Sequence, residues 1–252
     1  VQRFTRHGTA LAPLTGISET TEDIALSGGV VWTLVYEPGP TAGYAVTRLG
    51  ARSPELTVPL GRDKELATGI FITGPAAAPD IWVEQRQETQ LRVVEEGRAL
   101  APAQQLHNAL GRPNRGAAGT RVAARLTGSH KALVMSVDPE RGAEPLFEVI
   151  KPIPLVAIQE LLTDSAGTIY IGLFLATEGP APDFEWGNIR KVVVAYRPGG
   201  GHKVVEMAAI FATTVFRPVA VGQDGALYQL HTTEQEVLVR RWEPVFGEEV
   251  QR

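Results

Sequence analysis

Residues 217–244 read RPVAVGQDGALYQLHTTEQEVLVRRWEP and decide how the rest of the chain is interpreted. The apolar run Pro218–Val221, the alternating run Ala226–Leu230 and the run Val237–Trp242 predict three short strands. Asp224-Gly225 lies between the first two. An Asp-Gly pair indicates a tight hairpin turn, because type I′ turns need a positive φ at both central residues. We therefore expect an antiparallel meander.

The same order of strand, turn and strand recurs along the chain. Gly28-Gly29, a Pro/Ala-rich loop, Gly128-Ser129 and Ala166-Gly167 each follow an apolar run. In the strand predicted after each turn, one structural position recurs about every 49 residues. The residues at this position are Trp32, Trp82, Val134, Tyr170 and Tyr228. A period of this length with four strands per unit is typical of a β-propeller.

The remaining strands complete five units. Third strands are predicted at Tyr44–Arg48, Leu91–Val94, Leu146–Val149 and Lys191–Tyr196, and weaker fourth strands at Leu56–Val58, Gln104–Leu106, Leu155-Val156 and Lys203–Met207. The predicted fold is all-β, a single β-propeller of four-stranded antiparallel blades over residues 1–252, with five blades favoured over six. Residues 1–16 are expected to close the ring by pairing with the sheet that contains Val237–Trp242, which removes an exposed strand edge.

The unit at 217–244 resembles the blades of NHL-type β-propellers in its strand, Asp-Gly and aromatic-strand order. The segment VQRFTRHGTAL at the start of the chain resembles the end of such a blade. Tectonin-type lectin blades are similar at AVGQDGALYQL and are the second choice. The resemblance implies a radial ring of blades; members of these families bind proteins, RNA or sugars, or hydrolyse small esters.

Composition excludes several kinds of site and partner. The chain has no cysteine, so disulfides and thiolate metal sites are excluded. Its formal net charge of −4 gives no general attraction to nucleic acid or to an anionic membrane. No apolar run approaches the length of a membrane span. We expect no nucleic-acid partner, no membrane insertion and no cofactor. The periplasm or cell surface is favoured, and because the chain begins with Val1, we expect that an upstream segment was removed.

Catalytic motifs are sparse. The sequence has neither a G-x-S-x-G motif nor a Walker loop, and its five histidines lack the spacing of a metal-binding pair. Few asparagines weigh against a calcium site in a propeller channel. A propeller hydrolase of the glycosidase or lactonase type is the alternative function, with Asp23, Glu160 and Asp164 as candidate channel carboxylates. A glycan-binding lectin is the other alternative.

Two segments are candidates for recognition. The first, HNALGRPNRGAAG at 107–119, lies in a stretch without Asp or Glu, and it supplies His107, Arg112 and Arg115. The second, TEGPAPDFEWGNIR at 177–190, supplies Asp183, Phe184, Glu185 and Trp186. Aromatic and arginine side chains are common anchors of protein interfaces. We expect both segments to lie on one face of the propeller and to bind a protein partner, so that the protein is a non-catalytic scaffold.

Overall fold

The computed structural model contains two compact units, residues 1–105 and 106–252, which are considered separately below. It describes residues 3–4, 10–39, 42–52, 54, 56–59, 67–73, 79–85, 89–94, 98–99, 109–117, 119–138, 141–179, 185–208, 218–222, 224–232, 236–243 and 245–246. All regular structure in these residues is β-strand, and the sheets are antiparallel. The predicted all-β class is therefore confirmed.

The first unit contains two four-stranded sheets and a short strand pair. The pair consists of β1 (Arg3–Phe4) and β2 (Ala10–Leu11). Sheet 1 consists of β3 (Thr21–Ser27), β4 (Val30–Glu37), β5 (Gly43–Arg48) and β6 (Leu56–Pro59). Sheet 2 consists of β7 (Ala67–Thr73), β8 (Asp80–Gln85), β9 (Thr89–Val94) and β10 (Arg98–Ala99). In both sheets, each strand pairs with the next one along the chain.

The second unit contains three further sheets with the same sequential order. Sheet 3 consists of β11 (Leu110–Pro113), β12 (Arg121–Gly128), β13 (Lys131–Asp138) and β14 (Gly142–Ile150). Sheet 4 consists of β15 (Leu155–Thr163), β16 (Ile169–Glu178), β17 (Trp186–Arg197) and β18 (Gly201–Met207). Sheet 5 has three strands in the described residues: β19 (Val219–Val221), β20 (Leu227–Thr232) and β21 (Val237–Trp242).

Three of the predicted turns between first and second strands are confirmed, whereas the prediction for Gly128-Ser129 was wrong because this pair lies between β12 and β13, the second and third strands of sheet 3. Gly28-Gly29 connects β3 to β4, Ala166-Gly167 lies between β15 and β16, and Asp224-Gly225 lies between β19 and β20. Gly28, Gly29, Gly167 and Gly225 have φ angles of 56°, 75°, 78° and 76°. These left-handed backbone angles explain why glycine stands in each turn.

The predicted strand order was wrong in sheet 3. The first strand is β11, and Leu110 and Arg112 pair with Ala124 and Val122 of β12. Val134 therefore lies in the third strand and not in the second. The strand predicted at Leu155-Val156 as the last of this unit is instead the start of β15. Sequence analysis missed β11 because it is short and contains Arg112 and Pro113 in place of an alternating apolar pattern.

Two other strand predictions concern short segments. Residues 3–4 and 10–11 pair with each other, Arg3 with Leu11 and Phe4 with Ala10. Whether residues 1–16 close a ring with the sheet of Val237–Trp242 stays a prediction. The fourth strand of sheet 2 is Arg98–Ala99, whereas the predicted strand Gln104–Leu106 lies outside the described residues.

Sheet 4 is buried on both faces because alternate residues of its strands belong to different clusters. Ile171 and Leu173 pack in a cluster with Val122 and Val134 of sheet 3. Tyr170, Val193 and Ala195 pack in a second cluster with Val219 and Leu227 of sheet 5. In the first unit, Trp32 and Leu34 of sheet 1 share a cluster with Ile70 and Val83 of sheet 2. The cores therefore lie between consecutive sheets.

First strands of consecutive sheets meet within each unit. Strand β3 contacts β7, and in the second unit β15 contacts both β11 and β19. At two of these contacts, a side chain of one sheet forms a hydrogen bond with the backbone of the next sheet. The Ile70 amide donates a hydrogen bond to Asp23 Oδ2 at 2.8 Å, and the Arg115 amide donates one to Thr163 Oγ1 at 3.0 Å.

Two backbones touch where sheets 3 and 4 meet. A Cβ atom added to Gly116 would lie 2.3 Å from the Gly167 Cα and 2.6 Å from its nitrogen. We predict that Gly116→Ala lowers the free energy of unfolding by about 2 kcal/mol, as overpacked cores do. Urea denaturation measures the change.

The matched control is Gly128→Ala, because a Cβ atom at Gly128 has open space around it and no positive φ is imposed there. Equal stability of the two variants would show that the turns of sheets 3 and 4 are not in contact.

Candidate functional site

The structure describes some of the predicted site residues and not others. His107, Asp183 and Phe184 lie outside the described residues. Arg112 is buried in β11, and its Nη1 donates a hydrogen bond to the Gly111 carbonyl at 2.7 Å. Arg115 lies in the turn between β11 and β12, whereas Glu185 and Trp186 lie at the start of β17. Whether any of these residues binds a partner stays a prediction.

The two candidate segments lie at opposite ends of sheet 4, so the prediction of a common face was wrong. Arg115 contacts Thr163 where β15 turns into β16, and the Thr163 hydroxyl donates a hydrogen bond to the Pro113 carbonyl at 2.9 Å. Residues 177–190 instead connect β16 to β17. The unpredicted strand β11 explains the error, because one additional strand reverses the end at which a connection emerges.

The connection between β16 and β17 continues as a two-stranded ribbon beyond the rest of sheet 4. Leu155, the first residue of β15, pairs with Leu175, and Met207, the last residue of β18, pairs with Lys191. Ala176 still donates a backbone hydrogen bond to the Pro154 carbonyl at 3.2 Å, and beyond it the described residues of β16 pair only with β17. Residues 177–179 and 185–190 are called the ribbon below. Its ladder ends with a hydrogen bond of 2.8 Å from the Gly179 amide to the Glu185 carbonyl.

A β-bulge in the ribbon sets the direction of Trp186. Leu175 pairs with Arg190 and Thr177 pairs with Gly187, so β17 has one additional residue in this interval. Asn188 adopts a left-handed φ of 49° there, and its Nδ2 donates a hydrogen bond to Thr177 Oγ1 at 3.2 Å. A bulge shifts the alternation of side chains. Trp186 consequently lies on the opposite face of the ribbon from Arg190.

Trp186 is an exposed aromatic residue of the ribbon. Its side chain is 48% exposed, and Glu178, its partner in the strand pairing, is also exposed. Exposed residues directly opposite each other in antiparallel strands have Cβ atoms about 5 Å apart. The structure thus places a large apolar ring and a carboxylate side by side at the surface.

Two of the three candidate catalytic carboxylates hold the fold together. Asp23 accepts the Ile70 amide between sheets 1 and 2. Asp164 accepts hydrogen bonds from the Ala166 and Thr168 amides at 3.0 and 2.9 Å, and one from the Tyr170 hydroxyl at 2.9 Å. Burial raises the pKa of Tyr170, and the hydrogen bond to Asp164 raises it further. Asp164 therefore organises the turn and keeps the phenol protonated.

The third candidate carboxylate, Glu160, forms a buried ion pair with Lys191. Both side chains are 4% exposed, and Lys191 Nζ donates a hydrogen bond to Glu160 Oε1. Glu160 pairs with Gly172 on the strand between them. A Cβ atom at Gly172 would lie 2.0 Å from Glu160 Oε2. Glycine is therefore required for the carboxylate to cross β16 and reach Lys191.

The surroundings of Glu160 disfavour its charged form. Burial raises the pKa of Glu160, while the charge and hydrogen bond of Lys191 lower it again. Among the described residues, no group donates a hydrogen bond to Glu160 Oε2. Burial changes the pKa of Glu160 more than Lys191 does. The ion pair therefore contributes little net stability to the fold.

Gln229 is one of the buried polar side chains that were not predicted from the sequence. Gln229 is fully buried in β20, and its Nε2 donates a hydrogen bond to the Ala208 carbonyl at 2.8 Å. The alternation of β20 could have identified it, because Gln229 occupies an inward position two residues after the buried Leu227. The bond connects sheet 5 to the residue that follows β18.

The described residues were compared with the requirements of a metal site and of a membrane-spanning helix. They contain no group of three or more His, Asp or Glu side chains placed to hold a metal ion. Within the same residues, no helix has the length and hydropathy needed to cross a bilayer.

Comparison with known proteins leaves the family open. A scan against protein-family models found no match to the chain, and a search of curated proteins found no significant match. The fold is all-β with several small four-stranded antiparallel sheets, which is compatible with propeller blades. The NHL-type and tectonin-type resemblances stay predictions.

The ion pair predicts a pH-dependent loss of stability in Lys191→Met. Without the ammonium group, burial is unopposed and the pKa of Glu160 rises further above its ordinary value of 4.5. A carboxyl group with a raised pKa stabilises the fold below its unfolded pKa and loses that contribution as pH rises through the folded pKa. The stability of the variant relative to wild type should fall as pH increases from 4 towards neutrality, measured by urea unfolding at each pH.

The control is the double variant Glu160→Met, Lys191→Met, which has similar side-chain volumes and no titrating group at this position. It should lack the added pH dependence and be as stable as wild type, or more stable by about 1 kcal/mol or more. A constant stability difference between Lys191→Met and wild type across the pH series would contradict the buried ion pair between Glu160 and Lys191.

Proposed function

We propose that sheets 1 to 5 are the five blades of a β-propeller. Sequential four-stranded antiparallel sheets support this proposal, because a propeller blade is such a sheet. The contacts of β3 with β7, and of β15 with β11 and β19, support it further. In a radial ring the first strand of each blade lies nearest the axis and beside the first strands of its neighbours.

The propeller is proposed to be a non-catalytic module that binds a protein partner through the ribbon. The observation that carries this proposal is the 48% exposure of Trp186 on a ribbon that extends beyond its sheet. Sheet 4 needs no ribbon to complete its strand pairing, and an exposed tryptophan is a common anchor of interfaces. The left-handed Asn188 is consistent with this role, since unusual backbone angles and bulges are concentrated at functional sites.

The contacts of the candidate carboxylates favour binding over hydrolysis. A glycosidase needs one carboxyl group that can protonate a leaving group and a second that can act as base or nucleophile. Asp23 and Asp164 accept backbone hydrogen bonds, and Glu160 is buried against Lys191. All three side chains therefore have structural partners in the positions that the hydrolase hypothesis assigned to catalysis.

The double variant Phe184→Ala, Trp186→Ala tests the binding proposal. Partners captured with the tagged wild-type protein are identified, purified and titrated against both proteins. We expect the variant to bind at least about 30-fold more weakly, which corresponds to the loss of about 2 kcal/mol from one anchor residue. The proposal expects its melting temperature to match that of wild type, because Trp186 is 48% exposed.

The matched control is Val237→Ala, Val239→Ala, which removes exposed apolar side chains from β21 instead. Unchanged affinity of the ribbon variant would contradict the proposal. A large fall in its melting temperature would also contradict it, because the two aromatic residues would then be packing residues.

A further inference from the structure

The surface around Trp186 combines one exposed ring with negative charge. Glu178 lies directly opposite Trp186 in the strand pairing, and Glu185 precedes Trp186 in the chain. Both glutamates are exposed. Neither forms an ion pair with another described residue. Their charges are therefore available to a partner.

The nearby cations of sheet 4 are already paired. Arg190 lies on the other face of the ribbon, and its Nε and Nη2 donate hydrogen bonds to the two carboxylate oxygens of Glu206 at 2.8 and 2.6 Å. Lys191 is buried with Glu160. The bulge at Asn188 thus separates Trp186 and Glu178 from the Arg190–Glu206 pair, and Glu178 gives the face that presents Trp186 a negative charge.

An exposed indole beside a carboxylate favours a cationic ligand group. The negative face of the ring attracts Arg or Lys, and the guanidinium of Arg also stacks on aromatic rings. The Cβ atoms of directly opposite residues are about 5 Å apart, so the Glu178 carboxylate can form a charge-assisted hydrogen bond with the same cationic group. An acidic or neutral partner segment would leave the negative charge of Glu178 without a positive charge to pair with.

We propose that the ribbon binds a basic protein segment, with an Arg or Lys side chain of the partner against the Trp186 ring and its charge paired with Glu178. This inference rests on the proposed binding function of the ribbon and specifies the chemistry of the partner. A hydrophobic segment alone would use the ring but not the carboxylate.

Fluorine NMR of the fluorotryptophan-labelled protein tests the inference. The chain has four tryptophans, so the Trp186 resonance is assigned by its loss in Trp186→Phe. The probes are two short synthetic peptides, one with alternating Arg and Ser and one with alternating Glu and Ser. We expect the Arg peptide to shift the Trp186 resonance, with weaker binding at higher salt, and the Glu peptide to leave it unchanged.

Two charge-neutral variants locate the contact. Glu178→Gln should weaken binding of the Arg peptide at least about threefold, because it removes the carboxylate and retains the shape of the side chain. Glu206→Gln is the matched control on the opposite face and should leave the affinity unchanged. Equal binding of both peptides, no shift with the Arg peptide, or no effect of Glu178→Gln would each overturn the inference.

The outcomes separate this inference from the function on which it rests. If the captured partner needs Trp186 but the Arg peptide does not move its resonance, only the basic-segment assignment fails. If the affinity of the captured partner does not depend on Trp186, the binding function of the ribbon fails. A Trp186 shift that depends on protein concentration without peptide would identify a second copy as the ligand and overturn the assignment.

Discussion

Hydrogen bonds from side chains of one first strand to the backbone of the neighbouring sheet fix two of the contacts between sheets. The first strand of each sheet is an edge, and its outward amides and carbonyls need partners once they are buried. Asp23 accepts the Ile70 amide in the first unit. In the second, Thr163 accepts the Arg115 amide and donates to the Pro113 carbonyl. Sheets that satisfy their edges in this way can pack face to face without exposing a strand that would pair with another chain.

This requirement explains why polar residues that look catalytic in the sequence are structural. Asp23 satisfies an edge amide, Asp164 organises the turn beside Thr163, and Glu160 crosses β16 above Gly172 to reach Lys191. These three groups are used inside the scaffold, whereas the ribbon presents exposed side chains. There the bulge at Asn188 places Trp186 beside Glu178 and away from the paired Arg190.

The local rules of turns and alternation were enough to predict most strands, because their signals lie within a few residues. Gly28-Gly29 specifies its hairpin by a positive φ at both positions. At Asp224-Gly225 only Gly225 has a positive φ, so the predicted type I′ turn was wrong, and Asp224 Oδ1 instead accepts a hydrogen bond from the Ala226 amide. Strand β11 was missed because its partner β12, not its own composition, makes it a strand. The Glu160–Lys191 pair was missed because its members are 31 positions apart. The bulge was missed because it depends on the register between two strands. The bulge determines which face of the ribbon Trp186 occupies.

We propose that the first strands of all five sheets surround one axis. A distance between spin labels on β3 and β19 tests this proposal most directly. Because the chain has no cysteine, the pair Glu22→Cys and Ala220→Cys, both at exposed positions, carries the only labels. The pair Gln159→Cys and Ala220→Cys on the contacting strands β15 and β19 gives the reference distance. A closed five-bladed ring predicts a single narrow distribution centred near the reference distance. A broad distribution, or one centred at a much longer distance, would contradict the claim.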